Sequence, residues 1–165
     1  GLNSPLAEGP FYIRLPRPKL PLVYKQDYRF KLGKAVTIRQ GKDATIIAIG
    51  VMVSPALEAA DNLKRQGINC RVLNMPTLKP IDEAAIVKAA EETGAIVTAE
   101  DHLQHGGLGS EVAQVVVRNH PVPMGFVAIK DTYAQSGKTS ELLQRYGLTA
   151  KDIEEAVGRV VEKKG

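Results

Sequence analysis

The chain has little sulfur and little aromatic surface: one cysteine, no tryptophan, and 5% aromatic residues among 165. A single thiol cannot close an internal disulfide, which suggests a reducing compartment or indifference to one. Cys70 lies in the run INCRVLNMP, which reads as a strand, and its thiol as a buried structural one. Long apolar runs are also missing. None approaches the roughly 20 residues needed to cross a bilayer. The opening GLNSPLAEGP has neither the basic start nor the apolar centre of a secretory signal. A cytoplasmic protein with no membrane partner is the expectation, and the start at Gly1 rather than Met reads as processed or truncated.

Acidic residues are in mild deficit, 18 against 22 basic ones, giving a net charge of +4. Much of the excess lies early: Arg14, Arg17, Lys19, Lys25, Arg29, Lys31, Lys34, Arg39 and Lys42 face only Glu8 and Asp27. Such a segment suits an acidic partner, a phosphorylated substrate or nucleic acid. Tyr12, Tyr24 and Tyr28 lie near it without forming a base-stacking motif, so nucleic acid is not expected.

What is present is a rhythm. From Gly33 onward, short β-like runs alternate with helix-like ones. KAVTIRQ (34–40) alternates polar and apolar residues, and DATIIAIGVMV (43–53) is continuously apolar, as a strand buried on both faces should be. Ser54 and Pro55 then predict the start of a helix that Gly67 ends. INCRVLNMP follows as a strand. Asp82 predicts the N-cap of DEAAIVKAAEET, and Gly94 its stop. AIVTAED is the third buried strand, SEVAQVVVRN the helix after it, and MGFVAIKD the next strand. Two helices close the chain, TSELLQRYG and TAKDIEEAVGRVVEKK, the second with Thr149 and Asp152 spaced nearly as a capping box. This order predicts an α/β three-layer sandwich: a mostly parallel sheet of about five strands with helices on both faces.

The first residues break the rhythm. FYIRL (11–15) reads as the last strand of a different domain, and Pro10, Pro16, Pro18 and Pro21 as a stiff, extended linker. Residues 1–30 are therefore assigned to a domain tail and linker, and 31–165 to the α/β domain. In IRLPRP, Arg14 and Arg17 are candidate phosphate ligands, because a guanidinium held with little freedom forks onto phosphate well.

The densest chemistry is in IVTAEDHLQHGGLGS (96–110), where a β-branched run ends in Glu100, Asp101 and His102 before a loop containing Gly106, Gly107 and Gly109. Polar groups at the carboxyl end of a strand are where open α/β sheets form their sites. Glycines there permit positive φ or close backbone approach. Several sharper readings fail. Gly107-Leu108-Gly109 continues with Val112 where a dinucleotide fingerprint needs a third glycine, and Gly137-Lys138-Thr139 has Thr132 where a phosphate loop needs its first. The acidic and histidine residues crowd one loop without a second ligand pair, so no metal site is predicted. Ser54, Ser110 and Ser136 or Thr139 read as helix caps rather than nucleophiles, and His120 as a surface turn residue. Glu100, Asp101, His102, Gly106, Gly107 and Gly109 are the candidate subunit-contact surface, with Gly107→Val expected to weaken association or solubility without touching chemistry directly.

Four stretches in order (FYIRLPRP, RVLNMPTLKPID, TAEDHLQHGGLGSEVA and SGKTSELLQRYGLTAKDI) together resemble the C-terminal domain of transketolases. The resemblance implies an enzyme dependent on thiamine diphosphate and Mg²⁺ that moves two-carbon ketol units between phosphorylated sugars. It assigns the substrate-phosphate contact to Arg17. The family's GDG…N diphosphate and Mg²⁺ motif and the glutamate-bearing pyrimidine domain lie outside these residues. The chain is thus expected to bind no cofactor and to be inactive alone, working with the remaining domains or an N-terminal subunit in a homodimer. The alternative is a non-catalytic interaction domain, as in 2-oxo-acid dehydrogenase β subunits, or part of a deoxyxylulose-phosphate synthase.

Overall fold

A computed structural model describes residues 9–16, 20–24 and 28–164. Its centre is a five-stranded sheet made of β1 (Val36–Arg39), β2 (Ala44–Ala48), β3 (Cys70–Asn74), β4 (Ile96–Leu103) and β5 (Met124–Ile129), in the order β1-β3-β2-β4-β5. Four strands run parallel; β1 pairs antiparallel to β3 at the edge. Five helices connect and cover the strands: α1 (Val53–Arg65), α2 (Glu83–Thr93), α3 (Leu108–Asn119), α4 (Thr139–Arg145) and α5 (Ala150–Glu162). The three-layer α/β architecture read from the sequence is the one observed.

Strand alternation divides the core in two. Ile46, Ala48, Val72, Val97 and Ala99 pack with α1 and α5 on one face. Ile47, Leu73 and Ile96 pack with α2 and α3 on the other. Every residue of β2 is buried, as a central strand covered on both faces requires.

The helix ends follow local chemistry. The Asp82 carboxylate accepts the Ala85 amide, and Gly94 closes α2 at φ +63°. Thr149 and Asp152 form a full capping box on α5. Three expectations need correction. The apolar run 43–53 is not one strand: Gly50, at φ +58°, ends it, and a 3-10 turn (Gly50–Met52) leads into α1, which begins at Val53 without a Ser54 cap. Helix α4 starts at Thr139 with no side-chain cap from Ser136 or Thr139. Helix α3 starts at Leu108, two residues before Ser110, with no cap from its own N-cap side chain.

Residues 11–15 pair with no strand among the described residues, and Phe11, Tyr12, Ile13 and Leu15 are all exposed. Further along, Val23 packs against the α1–α5 core, and the Tyr24 ring stacks on Tyr28 at 3.8 Å between centroids. The Asn74 side-chain amide donates to the Tyr24 hydroxyl. Burial, reinforced by neighbouring Tyr24, pushes the Tyr28 hydroxyl up to about 12.

Candidate functional site

Strand β4 ends at the carboxyl edge of the sheet with two successive carboxylates, and alternation sends them to opposite faces. Ile96, Thr98 and Glu100 share the α2–α3 face, whereas Asp101 lies toward the Gly50 turn that opens α1: a Cβ added at Gly50 would sit 3.8 Å from Asp101 Oδ1. The two acids therefore do different work.

Glu100 is 2% exposed. Its Oε2 accepts the Leu108 amide and its Oε1 the Gly109 amide, both at 2.8 Å. These are first-turn N–H groups of α3, which have no partner within the helix. A buried carboxylate also lies favourably against the positive end of the helix dipole. The helix begins at Leu108 because Glu100 supplies its cap from the strand below, and no N-cap side chain does so. Ser110 instead links the loop to itself: its Oγ accepts the Gly106 amide at 2.9 Å and donates to the Gln104 carbonyl at 3.1 Å.

The glycines serve this seat. Gly106 is exposed at φ +77°, the left-handed region that favours glycine. Gly107 and Gly109 are buried and give clearance. A Cβ on Gly107 would fall 2.0 Å from Glu100 Oε2, and one on Gly109 would fall 2.7 Å from Phe126 Cδ1. Gly107→Val is therefore no clean probe of association, contrary to expectation, since it would displace the Glu100 cap first.

Asp101 receives a two-pronged arginine. Arg14 Nη2 donates to Oδ2 at 2.7 Å and Nη1 to Oδ1 at 3.3 Å, with a further contact from Nη2 to the Asp101 backbone oxygen at 3.3 Å. The Asp101 side chain is 23% exposed and Arg14 55%. Of the two arginines singled out in IRLPRP, Arg14 is thus engaged by a carboxylate of the chain, and Arg17 lies outside the described residues. His102 is exposed, and its Nδ1 donates to the Leu103 carbonyl at 2.9 Å. His120 is the exposed C-cap of α3.

The loop does not fit a diphosphate–Mg²⁺ pair. The α3 amides that would receive a phosphate already hold Glu100, and the carboxylates that would hold a cation are taken by those amides and by Arg14. Among the described residues, no three His, Cys, Asp or Glu side chains converge on a cation site. No helix among them is long and apolar enough to cross a membrane.

Sequence reasoning singled out this loop but missed two of its contacts. A carboxylate closing the buried run of β4, eight residues before a helix start with no cap residue, was the available signal for Glu100. Nothing local signals Arg14 meeting Asp101, 87 residues away.

Comparison with known proteins agrees with this architecture. Residues 33–153 match the family model described as transketolase, C-terminal domain. The chain is 45% identical, over 95% of its length and 49% of the relative's, to a 6-deoxy-6-sulfo-D-fructose transketolase subunit of a Clostridium species. It is 44% identical, over 87% of its length and 46% of the relative's, to an apulose-4-phosphate transketolase subunit of Phocaeicola vulgatus. A solved structure of a split gene transketolase, described as an inactive beta4 tetramer, superposes with a TM-score of 0.93 at 45% identity, covering 96% of this chain and 52% of that one. The chain thus spans about half the length of these relatives.

Proposed function

This chain belongs to the family of transketolase C-terminal domains, and from that premise we propose that it is the C-terminal part of a thiamine-diphosphate-dependent transketolase. The complete enzyme transfers two-carbon ketol units between phosphorylated sugars in the cytoplasm. The observation that carries this reading is the sequence identity, along nearly the whole chain, to proteins named as transketolase subunits. That two relatives are named as subunits and a third as the product of a split gene supports a two-part enzyme.

In this reading the cofactor supplies the carbanion chemistry, and other parts of the enzyme hold it with Mg²⁺. Residues 31–165 act as the assembly domain, and 1–30 as the tail of its neighbour. The outward side of the β4–α3 loop, with Asp101, His102 and Gly106, meets either the remaining domains or a second copy of the chain. Glu100, Gly107 and Gly109 shape that surface from beneath. Arg17 binds the phosphate of the substrate through its planar fork of donors.

The test restores the missing parts, supplied in trans or upstream in one polypeptide, and measures ketol transfer from a phosphorylated ketose. Transfer that requires this chain supports the reading; a folded, cofactor-loaded assembly without transfer overturns it. Within that assembly, Arg17→Ala should raise KM for phosphorylated sugars by about tenfold or more while sparing unphosphorylated analogues. Equal effects on both would remove Arg17 from the phosphate.

A further inference from the structure

Helix α2 buries Ile86, Ala89 and Ala90, and its next stripe, with Lys88 and Glu92, overhangs β3 and β1. Beneath that stripe is a hollow of about 90 Å³, several times the room one water needs, with Thr37, Gln40 and Arg71 in its other wall. A β-bulge prepares this wall. Thr37 faces Leu73 across the ladder and Arg39 faces Val72, so β1 carries one residue more than β3 between them. The extra residue turns Arg39 toward Asp61 of α1, on the other face of the sheet, and brings Gln40 round beside Thr37.

Arg71 is the unusual member of the lining. Its side chain is only 11% exposed, and Glu92 Oε2 accepts from its Nη2 at 2.6 Å. The Nε–H, the other prong of the same fork, is buried and has no acceptor among the described residues. Glu92 fills one prong only, and its second oxygen lies 3.9 Å from Lys88 Nζ. Two cations thus share a single, half-exposed carboxylate, which leaves the lining with an excess of positive charge. Thr37 and Gln40 add a hydroxyl and a side-chain amide, donors that carry no charge.

We propose that this hollow is a binding site for a small tetrahedral oxyanion, of phosphate or sulfate size, held by Arg71, Lys88, the Thr37 hydroxyl and the Gln40 amide. The guanidinium gives directed, charge-assisted hydrogen bonds from a nearly fixed position, and Lys88 closes from the helix side as a point charge on a flexible stem. The space admits a phosphoryl group but not the body of a metabolite. The ligand is therefore the free ion or the phosphoryl end of a larger molecule whose remainder lies outside. Two charge-assisted contacts in an open hollow support a dissociation constant of about 1 mM.

NMR of the isotope-labelled full chain, titrated with inorganic phosphate while chloride is withdrawn to hold ionic strength constant, reads the site directly. The amides of Thr37, Gln40, Arg71 and Lys88 should shift along one saturating curve with a midpoint of about 1 mM. Lys88→Gln, at an exposed position, should weaken binding about fivefold. Arg71→Gln should abolish it, and the same spectra report whether that variant is folded. If it is not, Arg71→Lys replaces it and should bind about tenfold more weakly, a point charge having taken the place of the fork. No saturation below about 50 mM phosphate, or a midpoint that the Lys88 and Arg71 variants leave in place, overturns the site. Acetate bound as tightly as phosphate overturns the tetrahedral assignment. Glycerol phosphate separates the two sources: binding tighter than inorganic phosphate supports the phosphoryl end of a larger molecule, and weaker binding supports the free ion.

Discussion

Glu100 is an acid in a dry place whose whole task is to satisfy two helix amides. Removing it leaves both N–H groups buried and unpaired, and hydrogen bonds to charged groups contribute about 1.5–3 kcal/mol each. Glu100→Ala should therefore destabilise the domain by about 3 kcal/mol in urea unfolding, and Glu100→Gln, with one acceptor oxygen instead of two, by roughly half that. A midpoint unmoved by Glu100→Ala would show that the cap is dispensable. Gly107→Ala should act through the same seat, because its Cβ would fall on Glu100 Oε2. The double variant should then lose clearly less than the sum of the two single ones. Cys70 is the other residue whose setting decides its chemistry. Burial first, then the nearby Asp43 carboxylate, push its thiol up to about 12, against a smaller opposing pull from Arg39. The folded thiol is neutral at pH 8, so thiol reagents should label it only after denaturation; rapid labelling of the native protein would contradict this. Below the ordinary thiol value of 9.0 both folded and unfolded chains keep the proton, and Cys70 leaves stability unchanged. As pH climbs from there toward 12 only the unfolded thiol ionises, so stability falls across that window.

Among the elements, α5 carries the most complete local signal: Thr149 accepts the Asp152 amide while Asp152 accepts the Thr149 amide. Thr149→Ala should cost about 1 kcal/mol, seen as a fall of about 2–4 °C in Tm; no change would mean that packing alone fixes the helix start. The strands were legible because burial leaves a pattern, continuous in β2 and, in β1, turning only Thr37 fully outward. Helix stops at Gly67 and Gly94 were legible because both adopt φ values that favour glycine. The starts of α1 and α3 were not. Gly50 bends the apolar run out of the sheet early, and α3 is capped from a strand residue eight positions back. Capping rules look for a polar side chain within one turn of a helix start; Gly50 has no side chain and Glu100 lies more than two turns back. The same limit hid the partner of Arg14, since pattern arguments stop at a few residues and this contact spans 87.

Among the described residues, the sheet and its two apolar layers lie between β1 and α5, and the described residues before β1 add contacts rather than a layer. Val23 packs on the core from outside, and the Tyr24 hydroxyl receives the Asn74 amide. Deleting residues 1–30 should therefore leave a domain that unfolds in one cooperative step, less stable by about 2–3 kcal/mol from the loss of the Val23, Tyr24–Asn74 and Arg14–Asp101 contacts. A broad, non-cooperative melt would move the domain boundary upstream. The exposed Phe11, Tyr12, Ile13 and Leu15 point the same way, since they find no cover within the described fold. Together they form an exposed apolar surface.

The internal cap on α3 has a consequence for how this loop meets its surroundings. Many glycine-rich turns that lead into helices recruit dissolved anions, whereas here the berth is filled from within by the protein's own Glu100. Buffer phosphate or sulfate has nothing to gain at that spot. Emptying it by Glu100→Ala would turn a sealed joint into a receptor, and formate or acetate in the solvent should then restore part of the lost stability.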